Sequence, residues 1–171
     1  MGLGSWDGCR SPPPQVVQHA PGAVARECND FIAGVVRQHP QRFVGLCVLP
    51  LQDMRASMEE LDRCVRKLGM KGIRLYTNLA GRFADEPEFR PLFARAVEYD
   101  IPVLLHPAKP ITSDIVKDYE MISSLGNMFD DTIALNRILL SGILDGLRSL
   151  SLPKADGEKI LGGNTRKLFR L

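Results

Sequence analysis

Three apolar, strand-like segments recur along this chain at a fixed interval. They begin at Phe43, Gly72 and Ile101, so each interval is 29 residues long. An interval of that length holds one strand, one helix and two short loops. Because neighbouring parallel strands need a crossover of a dozen or more residues, the repeat predicts parallel strands covered by helices.

The residues between the strands carry helix signals. Asp53 is predicted to cap the first crossover helix, which Gly69 would end. Asp85 is predicted to cap the second, with Pro87 in its first turn. Ahead of the first strand, a helix is expected from Ala23 until Pro40 stops it. These helices would turn the following apolar residues toward a core: Val24, Cys28, Phe31, Ile32, Val35, Val36, Met54, Met58, Leu61, Val65, Leu68, Phe89, Leu92, Phe93, Ala96 and Val97.

The two ends of the chain differ from this repeat. Residues 1–22 are rich in Gly and Pro and predict an irregular lead, which leaves 23–171 as one domain. Beyond Pro110 no further strand is predicted, and short helices are expected at about 154–161 and 165–171. Two longer helices are predicted before them: one with an apolar face of Ile115, Tyr119, Ile122 and Leu125, and one capped by Thr132 with Ile133, Leu135, Leu139, Leu140 and Ile143 apolar, preceded by the helix-terminal charges Asp130 and Asp131.

Successive right-handed crossovers produce either an open doubly wound sheet or a (β/α)8 barrel. The glycine-rich phosphate turn of a dinucleotide fold follows none of the three strands, which disfavours the open sheet. The predicted class is therefore α/β with parallel strands, and a barrel is favoured over the open sheet.

Charge and composition exclude several partners. The 22 basic and 20 acidic residues are interspersed and give a net charge of +2, which indicates neither nucleic acid nor an anionic membrane as partner. No apolar stretch reaches the roughly 18 residues of a membrane span, so a cytoplasmic protein is expected. The cysteines lack close pairs and are predicted to be free thiols; they are Cys9, Cys28, Cys47 and Cys64.

His106 ends the third strand, IPVLLH. In parallel α/β folds functional groups lie at the carboxyl ends of strands, where loops vary without disturbing the core. A neutral imidazole there can bind zinc or a similar ion. The alternative is a buried histidine that donates to a backbone carbonyl and closes the barrel rim.

Other polar residues near strand ends have simpler explanations. Asn78 could hydrogen-bond a substrate, although an Asn before a loop often makes turn contacts. Asp53 is better explained as a cap than as a base. His19 and His39 are predicted to lie on the surface.

Five segments, in this order, resemble the amidohydrolase-related family of the aminocarboxymuconate-semialdehyde and resorcylate decarboxylase type. They are ECNDFIAGVVRQHPQRFVGLCVLPLQD, LDRCVRKLGMKGIRLYTNLAGR, DEPEFRPLFARAVEYDIPVLLHP, DTIALNRILLSGILDG and EKILGGNTRKLFRL. The resemblance implies a (β/α)8 TIM barrel, present here in part, and a metal-dependent decarboxylase or hydrolase for a small carboxylated aromatic or enol substrate. It also implies a divalent metal, zinc first and manganese second, with the LHP histidine, His106, as a ligand.

The chain also departs from the family pattern. The family's H-x-H pair is absent from residues 1–42, and no strand carries the metal-binding Asp or the second catalytic His. The first strand and several C-terminal strands of the barrel are thus expected to be missing, and this chain alone is expected not to retain metal. The alternative to an enzyme is an inactive truncated form that acts through association with full-length subunits, and a homo-oligomer is a further expectation.

Overall fold

The computed structural model describes residues 22–79 and 81–143. Within them the helices are α1 (Gly22–Gln38), α2 (Met54–Arg66), α3 (Arg90–Glu98) and α4 (Asn127–Leu140), and the strands are β1 (Ile73–Tyr76), β2 (Asn78–Leu79), β3 (Arg82–Phe83) and β4 (Val103–His106). The predicted lead, apart from Gly22, and the two short helices after residue 153 lie outside the described residues.

The predicted parallel pairing is confirmed for the second and third strands. β1 and β4 run parallel, in a register that pairs Ile73 with Val103 and Tyr76 with His106. An uninterrupted apolar run such as residues 101–105 predicts a fully buried strand. That prediction is wrong for β4, because Leu104 is 50% exposed. Among the described residues β4 has β1 as its one strand neighbour.

The first predicted strand is reduced to a single parallel bridge between Cys47 and Ile73. The backbone N–H of Cys47 donates to Gly72 at 2.8 Å, and its carbonyl accepts from Arg74 at 3.0 Å. Val48, the next residue, points its backbone groups away from β1 and bonds the side chain of Asn29 instead. A helix side chain therefore occupies the position that a neighbouring strand would take.

The sequence signals at the two ends of the first crossover helix are confirmed. Asp53 caps α2 by accepting from the Ala56 N–H at 3.0 Å, as predicted. Gly69 has a φ of +71°, which turns the chain toward β1 where an L side chain would be strained. Gly72 is required for a different reason: a Cβ there would lie 2.7 Å from Cδ2 of Leu46.

The cap predicted for the second crossover is wrong. A short 3-10 turn, Pro87–Phe89, precedes α3, and Pro87 stands at its start as expected. Asp85 does not cap it; its carboxylate binds the guanidinium of Arg137 at 2.7 and 3.1 Å. Asp85 forms this long-range ion pair instead of the helix cap that the local sequence pattern predicted.

The helices cover the sheet with a core to which all four helices contribute. The core cluster consists of Ala33, Cys47, Leu49, Leu51, Leu61, Cys64, Met70, Ile73, Leu75, Leu79, Ala84, Phe89, Leu92, Phe93, Ala96, Ile138 and Ile143. The predicted stripe of α1 is only partly right, since Phe31 is 51% exposed while the buried face follows Ala25, Asn29 and Ala33.

Beyond Pro110 the predictions are less accurate. A continuous helix over residues 115–125 is wrong: a 3-10 turn, Asp118–Glu120, precedes a π-helical segment, Ile122–Gly126. Positive φ at Tyr119 and Glu120 breaks the helix between Ile115 and Leu125. The four residues of the predicted apolar face are exposed, whereas their neighbour Val116 is buried.

Thr132 does not cap a helix either. It lies inside α4, where its hydroxyl donates to the carbonyl of Met128 at 2.7 Å. The predicted apolar face is right only at Ile143, which is buried in the core. Leu135, Leu139 and Leu140 are exposed, whereas α4 buries Asp130, Ala134 and Ile138.

Two further predictions concern side chains and membranes. Cys28, Cys47 and Cys64 are free thiols, as expected, and Cys9 lies outside the described residues. Of the helices in the described part of the chain, none is long and apolar enough to cross a membrane.

Candidate functional site at the strand ends

The carboxyl ends of β1 and β4 coincide. Tyr76 is the register partner of His106, so both strands stop at the same level. The backbone N–H of the next residue, Thr77, donates to the His106 carbonyl at 3.1 Å. This shared edge brings together His106, Thr77 and Asn78, the three polar residues that the sequence places after these strands.

His106 is half-buried, and one of its ring nitrogens is engaged. Nδ1 lies 2.8 Å from the carbonyl oxygen of Pro107. Because a carbonyl can only accept, Nδ1 carries the proton and the neutral ring has its free lone pair on Nε2. The ring stands edge-on to Tyr76, with centroids 5.8 Å apart.

This geometry contains elements of both sequence interpretations. The bond to a backbone carbonyl belongs to the rim-closing alternative, but metal-binding histidines usually make the same bond with their second nitrogen. The ring is half-buried rather than enclosed. Its role as a ligand therefore stays a prediction, with Nε2 as the coordinating atom.

Asn78 is buried and makes its contacts within the chain. Its carbonyl oxygen accepts from the Gly81 N–H at 3.1 Å, which confirms the turn interpretation. Its amide donates to Asp130 at 2.7 Å and to the Lys109 carbonyl at 3.2 Å. Binding of a substrate by Asn78 stays a prediction.

Asp130 belongs to this cluster, although sequence reasoning treated it as a helix-terminal charge. It does lie in the first turn of α4, but its side chain is fully buried. Oδ2 accepts from the hydroxyl of Thr77 and the amide of Asn78, and Oδ1 accepts from the Ile111 N–H at 3.2 Å. The available signal was spacing, because Asp130 is four residues before Ala134 on the buried face of α4.

The neighbouring Asp131 differs from Asp130 in its hydrogen bonding. Its Oδ1 is buried and has no hydrogen-bond partner among the described residues. Burial and the Asp130 carboxylate raise the pKa of Asp131, and the charged form of His106 opposes this rise. The carboxylate of Asp131 and the imidazole of His106 are close enough to interact electrostatically. Both are ligand types that divalent cations accept.

The number of such donors is too small for a metal centre. In residues 22–143, Ala80 aside, no group of three or more His, Cys, Asp or Glu side chains could hold an ion. A catalytic zinc takes three protein ligands and keeps one open position. The described residues therefore fit a divalent metal in kind but do not complete its coordination.

Two depressions in the surface lie elsewhere. One, of about 480 Å³, is lined by residues that include Asp85 and Arg137, and the other, of about 520 Å³, by residues that include Glu60 and Arg63. Neither is lined by His106 or Asn78.

Comparison with known proteins places this chain in a family. Residues 2–145 match the family described as amidohydrolase. The chain belongs to the amidohydrolase family.

Two relatives of this chain are named as decarboxylases. The 2-amino-3-carboxymuconate-6-semialdehyde decarboxylase of Dictyostelium discoideum is 31% identical over 134 residues, which are 78% of this chain and 37% of that protein. The gamma-resorcylate decarboxylase of Rhodococcus jostii is 33% identical over 141 residues, which are 73% of this chain and 43% of that protein.

A solved structure shows the same fold. The 5-carboxyvanillate decarboxylase of Novosphingobium aromaticivorans, crystallised with bound manganese, superposes with a TM-score of 0.73 at 29% identity. The match covers 80% of this chain and 41% of that one. This chain thus spans less than half the length of the relatives it matches.

Proposed function

We propose that this chain forms part of the (β/α)8 barrel of a metal-dependent decarboxylase that acts on a small carboxylated aromatic substrate. The parallel strands with helical crossovers support the barrel, and the names of the relatives support the reaction. A hydrolase reaction, which the sequence also suggested, has less support because both relatives and the superposed structure are named decarboxylases. An enol-type substrate stays the alternative to an aromatic one, because one of these relatives is named for an open-chain muconate semialdehyde.

His106 is the residue that we assign to the metal. The observation that carries this assignment is the 2.8 Å contact between Nδ1 and the Pro107 carbonyl, which holds the lone pair on Nε2 at the strand-end edge. A bound divalent ion would act as a Lewis acid that stabilises negative charge developing on the substrate. Zinc suits an imidazole ligand, and manganese is the ion in the superposed structure.

His106 supplies one ligand of the several that such an ion needs. The others are to be sought outside the described residues or on a partner chain, either a second copy or a longer homologue. This proposal therefore includes association as one route to a complete centre, and a small-molecule substrate as the occupant.

A decarboxylation assay tests the proposal. The purified full chain is loaded with Mn²⁺ or Zn²⁺ and incubated with gamma-resorcylate or 5-carboxyvanillate, and release of carbon dioxide is followed. We expect metal-dependent turnover that His106→Ala abolishes and that the matched surface variant His39→Ala retains. Equal turnover in the two variants would contradict the assignment of His106. No turnover with either metal and either substrate would contradict a complete centre formed by this chain or its own oligomer, and would leave association with a longer homologue as the route.

A further inference from the structure

The fully buried carboxylate of Asp130 connects α4 to the residues that follow β1 and β4. Its three hydrogen bonds come from Thr77, Asn78 and the Ile111 N–H. Two of these donors directly follow β1, and the third ends the segment that follows β4. One buried side chain therefore joins the two strand ends.

The segment after β4 is held at three points by this network. The Ala108 N–H lies 3.4 Å from the Thr77 hydroxyl oxygen, and the Lys109 carbonyl accepts from Asn78 at 3.2 Å. The third point is the bond from the Ile111 N–H to Asp130. The backbone of residues 107–111 thus has little freedom to rotate its peptide groups.

Pro107 opens that segment, and its carbonyl accepts the proton of His106 Nδ1. The direction of this carbonyl decides which ring nitrogen is protonated and which keeps its lone pair. We propose that Asp130 is a positioning residue for His106, which acts through Thr77 and the 107–111 segment to keep the imidazole in the Nδ1–H tautomer. The inference deepens the proposed function. It rests on that function only for the role of Nε2 as a metal ligand.

The chemistry of the carboxylate explains why an Asp is needed. Oδ2 accepts two hydrogen bonds and Oδ1 accepts a third. An Asn at this position would place its NH₂ group against at least one donor, because neither the Ile111 N–H nor the NH₂ group of Asn78 can accept. Asn78 could present its oxygen instead only by turning its amide over, which would break its bonds to the Gly81 N–H and the Lys109 carbonyl. The isosteric change Asp130→Asn therefore breaks at least one link while it conserves volume.

Thr77 offers a finer test of the same link. Its hydroxyl donates to Asp130 and faces the Ala108 N–H. Thr77→Val removes the hydroxyl and keeps the shape, whereas Thr77→Ser keeps the hydroxyl and removes a buried methyl group. A packing role would make Ser at least as disruptive as Val, and a positioning role would make only Val disruptive.

The experiment reads the tautomer directly. The full chain is labelled with ¹⁵N-histidine, and long-range ¹H–¹⁵N correlations are recorded without metal or substrate at about pH 8.5, where an ordinary imidazole with a pKa of about 6.5 is neutral. The chain has three histidines, which single His→Gln variants assign. The exposed His39 is the internal control, and Asp114→Asn is the charge-matched control on an exposed carboxylate.

We expect His106 to be almost entirely Nδ1–H in the unsubstituted chain, in Thr77→Ser and in Asp114→Asn. In Thr77→Val and Asp130→Asn we expect the Nε2–H form to become the major one, with His39 unchanged. A folded Thr77→Val or Asp130→Asn in which His106 stays Nδ1–H would overturn the inference, and so would an equal shift in Thr77→Ser. If Asp130→Asn fails to fold, the Thr77 pair decides. Because no metal or substrate is present, the result is independent of the decarboxylation assay.

Discussion

The side-chain amide of Asn29 pairs with both backbone polar groups of Val48. Its Nδ2 donates to the Val48 carbonyl at 2.8 Å, and its Oδ1 accepts from the Val48 N–H at 2.9 Å. Asn29 and Val48 are both buried, so neither set of groups can turn to water instead. A residue of α1 thus satisfies the outer edge of the first strand-like segment, where an unpaired edge would otherwise be available to other chains.

Replacement of Asn29 by Ala should destabilise the protein by roughly 2–4 kcal/mol, because it leaves two buried backbone groups unpaired. Urea unfolding of the full chain measures the change. Asn136→Ala is the matched control, since its amide bonds a carbonyl on the exposed surface of α4 and should cost less than about 0.5 kcal/mol. Equal losses in the two variants would show that the Val48 pairing contributes nothing special.

Glu60, which also accepts from Asn29, should make stability depend on acid. Burial opposes its ionisation, but hydrogen bonds from Arg63 and Asn29 outweigh burial and hold the pKa of Glu60 below its usual value. The folded chain therefore releases this proton more readily than the unfolded chain, whose Glu pKa is about 4.3. The stabilisation is present above that pH and is lost as the pH falls through the folded pKa.

The free-energy difference between the unsubstituted chain and Glu60→Gln should consequently shrink as the pH falls from about 6 to about 3. Denaturant unfolding at several pH values measures this slope. Glu59→Gln serves as control, because Glu59 is exposed and only 3.6 Å from an equally exposed Arg55. A Glu60→Gln difference that does not change with pH, or that changes no more than the difference for Glu59→Gln, would rule out the lowered pKa.

The helix cap at Asp53 should be worth about 1 kcal/mol. Asp53→Ala removes the acceptor of the Ala56 N–H, whereas Asp53→Asn keeps an oxygen in the same place. We expect the Ala variant to lose roughly 0.5–2 kcal/mol in urea unfolding and the Asn variant to lose much less. Similar losses in both would mean that the cap hydrogen bond is unimportant.

The reaction rates of the cysteine thiols should show which of them the core shields from solvent. Cys47 and Cys64 are fully buried, and the hydrogen bond with Cys47 together with burial raises the pKa of Cys64. In a Cys9→Ser background, we expect Cys28 to react first with a thiol reagent and the other two only as fast as the chain unfolds. Reaction of all three at one rate in native buffer would contradict the described core.

The sequence predicted what local signals control. The 29-residue repeat located β1 and β4, and the Asp53 pattern located the cap of α2, because strand runs and caps depend on residues near in the chain. Asp85 and Asp130 were misjudged because partners 52 and 53 residues away, Arg137 and Thr77, decide where their carboxylates point.

The same limit explains the errors after Pro110. An apolar stripe predicts a helix only if a core covers it, and Ile115 is 78% exposed while Tyr119 is 93% exposed. Helical spacing was present there without burial. The position of His106 at a strand end was predictable, but its bond to Pro107 required the backbone of the following segment.

Nε2 of His106 is the atom that we propose binds a divalent metal ion. Titration of the ¹⁵N-histidine-labelled full chain with substoichiometric Mn²⁺ tests this proposal most directly, because a paramagnetic ion broadens the signals of the ring that it binds. We predict that the His106 ring signals broaden first and that those of the exposed His39 stay sharp. Broadening of His39 and His106 in parallel, or none at His106 when Mn²⁺ is in excess, would contradict the account.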